Sequence, residues 1–114
     1  MKLVNSIPNG QIFVCPHRKK LHLEYGNLFL MLSYDEFNQF VAYVNSIDYQ
    51  FYLKKNKNAQ NKRKLLLNIG FEDMFLALNE TEYHELKNLI SLRTKKQSLL
   101  HTSKIINSSV LHLN

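Results

Sequence analysis

Leu28-Phe29-Leu30-Met31-Leu32-Ser33-Tyr34-Asp35-Glu36-Phe37 places a strand and a helix start within ten residues. Leu28 to Leu32 is a continuous apolar run of strand length, the pattern of a strand buried on both sides or central in a sheet. Ser33 stops the run. Its hydroxyl can accept a hydrogen bond from an orphan N–H of a helix's first turn, and Glu36 three residues on completes a capping box. Phe37, Phe40, Val41 and Val44 then follow the i, i+3, i+4, i+7 spacing of one apolar helix face. Upstream, Leu21, Leu23 and Tyr25 alternate with His22 and Glu24, which is strand period and turns His22 toward a polar face. Gly26-Asn27 is the turn between the two strands.

The same string returns 46 residues later as Phe75-Leu76-Ala77-Leu78-Asn79-Glu80-Thr81-Glu82-Tyr83. Capping residue meets capping residue, Glu meets Glu and aromatic meets aromatic. Before the turn the offset is 44, which sets Arg18-Lys19-Lys20-Leu21 over Lys62-Arg63-Lys64-Leu65, Leu23 over Leu67 and Gly26 over Gly70. Two extra residues within 71–73 lengthen the second turn. Gln11-Ile12-Phe13-Val14 also resembles Gln50-Phe51-Tyr52-Leu53, so strands are expected near 11–14 and 48–54. The expected fold is α+β, with duplicated β-β-β-α units forming one antiparallel sheet and two helices packed on one face. The helices are placed near 34–46 and 80–92. Residues 1–93 then form a single domain with repeats at about 11–47 and 50–93, and 94–114 form a C-terminal tail. Leu99, Leu100, Ile105, Ile106 and Val110 make that tail too apolar to be purely solvated, so it is expected either to dock on the domain or on a partner, or to stay flexible.

The chain has 114 residues, 45% hydrophobic and 21% charged, which is enough to close one core without disulfides or metals. Cys15 is the single cysteine, so no internal disulfide forms, which fits a reducing compartment. Asn5, Ser6, Pro8, Asn9 and Gly10 interrupt the N-terminus before a signal-peptide apolar core could form. No apolar run approaches the ~20 residues that span a bilayer. The expectation is a soluble cytoplasmic protein with no membrane association.

Tyr25-Gly26-Asn27-Leu28-Phe29-Leu30-Met31-Leu32-Ser33, with Asp35-Glu36-Phe37 and the ending Tyr43-Val44-Asn45-Ser46-Ile47-Asp48, resembles a small family of uncharacterised bacterial proteins of about this length. There an aromatic-Gly-Asn turn runs into an apolar strand and a Ser-x-x-Glu-Phe helix start. The resemblance covers residues 12–92. It implies a stand-alone cytoplasmic bacterial domain and carries no activity with it.

Net charge is +6, from 15 basic and 9 acidic residues. Thirteen of the 15 basic residues sit in three stretches, 17–20, 54–64 and 93–104, where there is no acidic residue. Arg18, Lys19, Lys20 and Lys62, Arg63, Lys64 begin equivalent strands, and a hairpin returns each cluster to a helix N-terminus. With Lys55 and Lys57 they are the candidate contacts for a nucleic acid or other anion, since Lys, Arg and helix N-termini all attract phosphate. Asp35, Glu36, Glu80 and Glu82 occupy the same helix starts and compete for those cations. No reader motif accompanies the basic loops.

Cys15, His17 and His22 lie on one hairpin but lack a fourth ligand, so no metal site is assigned. No catalytic or cofactor motif is present: GxSxG, HExxH, P-loop and GxGxxG are absent. Tyr43, Tyr49, Phe51 and Tyr52 are a candidate stacking platform or dimer surface. The expected function is a non-enzymatic interaction or self-associating module, with a protein partner or a second copy. Nucleic-acid binding through 17–20 and 54–64 is the alternative.

The helix assignment is tested by two truncations. Ser33→Ala should cost ~0.5–2 kcal/mol through the lost cap, and Phe37→Ala ~3–5 kcal/mol through the emptied core position. Urea melts that reverse the order would show the helix face to be misassigned.

Overall fold

Lys20–Tyr25 and Leu28–Ser33 pair as an antiparallel hairpin with Leu21 opposite Leu32 and Leu23 opposite Leu30. Gly26 in their two-residue turn has φ +58°, a left-handed conformation that glycine adopts without strain. The computed structural model describes residues 1–70 and 72–92. In chain order these form β1 (Lys2–Ile7), β2 (Gly10–Cys15), β3 (Lys20–Tyr25), β4 (Leu28–Ser33), α1 (Tyr34–Ser46), α2 (Tyr49–Lys55), β5 (Leu65–Asn68), β6 (Phe75–Leu78) and α3 (Glu80–Ile90). The class is α+β. The tail expected after residue 93, docked or flexible, lies outside the described residues.

Both capping boxes form. Ser33 Oγ accepts from Glu36 N at 3.1 Å while Glu36 Oε1 accepts from Ser33 N at 2.7 Å. Asn79 Oδ1 accepts from Glu82 N at 2.7 Å, and Glu82 Oε1 from Asn79 N at 2.8 Å. Each helix therefore starts at the residue after its cap. β5 and β6 pair with Leu65 opposite Leu78 and Leu67 opposite Leu76. Those are the positions that the 44 and 46 offsets equate with the β3–β4 pairs.

Four expectations are corrected. Residues 48–54 form no strand: Tyr49–Lys55 is helix α2, started by Asp48, whose Oδ1 accepts from Phe51 N at 3.2 Å. The apolar string there was too short for its period to separate strand from helix. Without that strand, two full β-β-β-α units do not exist; only hairpin plus capped helix recurs. The N-terminus supplies a strand not expected, β1, which pairs with β2 around the two-residue turn Pro8-Asn9. A bulge between Leu3 and Asn5 breaks its alternation and hides it. Finally, the strands form two sheets, β1-β2-β3-β4 and β5-β6, in place of one. The run Leu28–Leu32 thereby becomes an edge strand, with Phe29 and Met31 exposed.

α1 packs on β3 and β4, and α3 on β1 and β2, so both helices cover the same face of the four-stranded sheet. Ile12, Val14, Leu21 and Leu23 from that face meet Phe37, Val44, Tyr83, Leu86, Leu89 and Ile90, all fully buried. Leu65, Leu67 and Leu78 of the second hairpin join the same cluster. Two polar links fix α3. Tyr83 Oη donates to Val44 O at 2.8 Å, and Asn5 Nδ2 donates to Leu89 O at 2.9 Å. Both carbonyls lie in the last turn of a helix, and Val44 O also accepts from the C-cap Ile47 N at 3.4 Å.

Gly10 sits where β2 passes under α3. A Cβ there would lie 2.6 Å from Glu24 O and 2.8 Å from Leu89 Cδ2. The Glu24 oxygen is backbone and cannot move aside without disturbing the β2–β3 ladder. Gly10→Ala is expected to cost ~1–3 kcal/mol, the range for overpacking, whereas an Ala at the open Gly26 turn acts through φ alone. Thermal melts of Gly10→Ala matching wild type would refute this packing.

Candidate functional site

The sequence nominated the basic clusters, and the structure puts them in two places. Arg18 and Lys19 lie in the exposed β2–β3 turn, Lys19 at φ +52°. Lys20 opens β3 opposite Ser33, close enough to Glu36 to favour its ionised form. The second cluster gathers at the start of α3. Arg63 grips Glu82 with two bonds, Nε to Oε1 at 2.7 Å and Nη2 to Oε2 at 3.0 Å. Lys64 Nζ donates to Ala59 O at 2.6 Å and to Asn61 O. Lys55 Nζ lies 6.0 and 5.9 Å from the Phe51 and Tyr52 rings. Lys57 and Lys62 are exposed in the loop.

Those two places do not converge. Tyr25, at the far end of β3 from Lys20, donates its hydroxyl to Glu85 Oε1 at 2.7 Å and to Glu82 O at 3.2 Å. The start of α3, with Arg63, is thus at one end of β3 and Lys20 at the other, about 17 Å apart for a six-residue strand. The two clusters therefore offer no single basic strip, and Arg63 is already committed to a carboxylate.

Charge at the helix starts is tuned by the caps. Arg63's hydrogen bonds hold the Glu82 carboxyl below the usual carboxylate range. Glu36 is lowered by its bonds to the Ser33 backbone N–H and hydroxyl. Burial raises the Tyr25 hydroxyl well above its usual range, and Glu85 adds to the effect.

The candidate aromatic platform is divided as well. Tyr49 stacks on Tyr83 at 5.4 Å and meets His84 edge-on at 4.8 Å, while Tyr43 Oη accepts from Asn68 N at 2.8 Å. Phe51 and Tyr52 stay exposed on α2. Among the described residues, no group of three or more His, Cys, Asp or Glu could hold a metal ion.

What sequence reasoning missed is the other face of the four-stranded sheet. The register sets Leu3 opposite Phe13, Phe13 opposite His22 and His22 opposite Met31, one row crossing all four strands. Gln11, Glu24 and Phe29 form the next row on one side, and Cys15, Lys20 and Ser33 the row on the other. Leu3 is 52% exposed, Phe29 55% and Met31 44%. His22 packs edge-on against Phe29 with ring centres 5.7 Å apart, and its Nε2 is buried with no hydrogen-bond partner among the described residues. Met1, Gln11, Phe13, His22, Glu24 and Phe29 line a shallow depression of about 390 Å³. The signal was present but ambiguous. A strand apolar on both faces reads as central, and only the strand order reveals that β4 is an edge with helices on one side.

This outward apolar row belongs to a chain whose family can be assigned. A model of a family of unknown function, DUF6686, matches residues 1–112. The chain belongs to that family. The match extends beyond residues 12–92, where the motif likeness runs, and takes in the segment after 93 that the likeness left out. No curated protein and no solved structure matches the chain. No described helix is long and apolar enough to cross a membrane.

The lowered carboxyls set a pH dependence. Glu36 and Glu82 titrate below their ordinary 4.5 in the folded chain. The stability they contribute is therefore complete above about pH 4.5 and is lost as pH falls through their folded values. Urea midpoints should decline below pH 4.5, and the Glu36→Gln/Glu82→Gln variant should show a shallower decline. An unchanged acid slope in the variant would mean that other carboxyls govern it.

Proposed function

We propose that this domain is a non-catalytic interaction module whose working surface is the outer face of the four-stranded sheet. The supporting observation is the row Leu3, Phe13, His22 and Met31 with Phe29 beside it. These side chains are turned away from the core on a face opposite both long helices. Clustered apolar groups of this kind mark contact surfaces, because leaving them in water costs ~25 cal/mol per Å². The polar rows on either side, with Lys20 in one and Glu24 in the other, give such a contact its orientation. The basic loops support the alternative, nucleic-acid reading less well, since Arg63 and Lys64 make their bonds within the chain.

A photocrosslinking residue at position 29 tests this reading in the native host. It should yield one discrete adduct, whereas the same residue at position 62 in the solvated loop should yield none. Absence of any adduct at 29 would sink the proposal. So would micromolar affinity for duplex DNA at ~0.15 M salt that is lost in Lys55→Gln/Lys57→Gln/Lys62→Gln/Arg63→Gln, because four phosphate contacts would flatten the salt slope by ~3–4.

A further inference from the structure

We infer that the occupant of the outer sheet face is a second copy of this chain, related by a two-fold axis lying along the Leu3–Phe13–His22–Met31 row. The inference rests on the interaction-module reading and adds to it the identity and geometry of the partner. The argument is one of charge and register. Lys20, His22 and Glu24 alternate outward on β3, so a cation and an anion stand about 7 Å either side of the apolar row. A face-to-face dimer has its two-fold axis in the plane of contact. An axis along β3 would set Lys20 over Lys20 and Glu24 over Glu24, and one midway between β2 and β3 would set Lys20 over Cys15 and Glu24 over Gln11, leaving both charges unpaired. An axis across the strands, through His22, sets Glu24 of each copy over Lys20 of the other. Like charges at a desolvated contact are costly and opposite ones steer and register it, so the charges select the axis across the strands.

The same axis brings Leu3, Phe13 and Met31 each against its own counterpart, closing the apolar row on itself. Packed sheets lie ~10 Å apart, a gap that Lys and Glu side chains together span. Glu24 Oε1 already accepts from Gln11 Nε2 at 2.9 Å, which leaves Oε2 for the lysine. A different protein would need an acid and a base at this same spacing about an apolar row. The chain's own face already carries both.

Four strands of six residues present roughly 19 by 20 Å, or ~400 Å² in projection. That is small beside the ~800 Å² per partner of a standard interface, so the dimer is weak and concentration-dependent. Sedimentation velocity of the full chain, over ~10–500 µM at low salt so that screening is slight, should show mass doubling. Glu24→Lys and Lys20→Glu should each weaken association at least ~10-fold, since each creates two like-charge contacts per dimer. The double exchange should return it to within ~3-fold of wild type. Met31 faces itself across the axis, so Met31→Lys and Met31→Glu should each be monomeric alone and dimerise when mixed. Circular dichroism confirms that each variant is folded.

A wild-type monomer at 500 µM, no rescue in the double exchange, or no association of the mixed Met31 variants would overturn the proposal. The crosslink at position 29 separates this failure from that of the underlying reading. An adduct of twice the chain mass supports the dimer. An adduct of any other mass overturns the dimer and leaves the interaction module standing. No adduct overturns both.

Discussion

A four-stranded sheet has two faces, and both long helices of this chain lie on the same one. That asymmetry follows from connection geometry. α1 leaves directly from the end of β4 through the Ser33 cap and folds back over β3 and β4. The remaining half of that face, over β1 and β2, is filled by α3, anchored by Tyr83 to Val44 and by Asn5 to Leu89. Among the described residues no long helix covers the outer face, and Phe29 and Met31 of β4 are exposed there.

The acidic residues at the helix starts organise the rest. Glu82 closes the α3 capping box, receives both arms of Arg63 and lends its carbonyl to Tyr25. A single residue at one helix N-terminus, through its carboxylate and its backbone carbonyl, thus connects the basic loop, the four-stranded sheet and α3. Its favourable position near the helix dipole explains why a carboxylate sits there. Arg63, which read in sequence as a phosphate ligand, is instead the counter-ion of a cap. Charge density along a chain does not reveal which cations are already paired, since the pairing is made across 19 residues by the fold.

On the outer face the same logic runs in reverse. Lys20 and Glu24 flank the row in which His22 stands among Leu3, Phe13 and Met31, and that spacing comes from strand alternation alone. The charge pattern distinguishes one relative orientation of two copies from another, while the apolar row supplies the attraction. The charges come from β3, and the apolar groups from β1, β2 and β4.

The amino-acid sequence by itself determined the local pieces: the α+β class, the two hairpins with their equivalent registers, and both capped helices at their starting residues. These depend on contacts within a few positions, such as Ser33 with Glu36 and Asn79 with Glu82, and their spacing is readable. The tertiary structure alone decided the rest. It made residues 49–55 a helix, because seven residues hold too few periods to choose and the Asp48 cap tips the balance. It paired β1 with β2 across a bulge that scrambles alternation. It made β4 an edge, because an apolar residue at every position is silent about which face will be covered. Phe29 and Leu30 look alike in the sequence; which of them meets the core depends on where the helices come to rest.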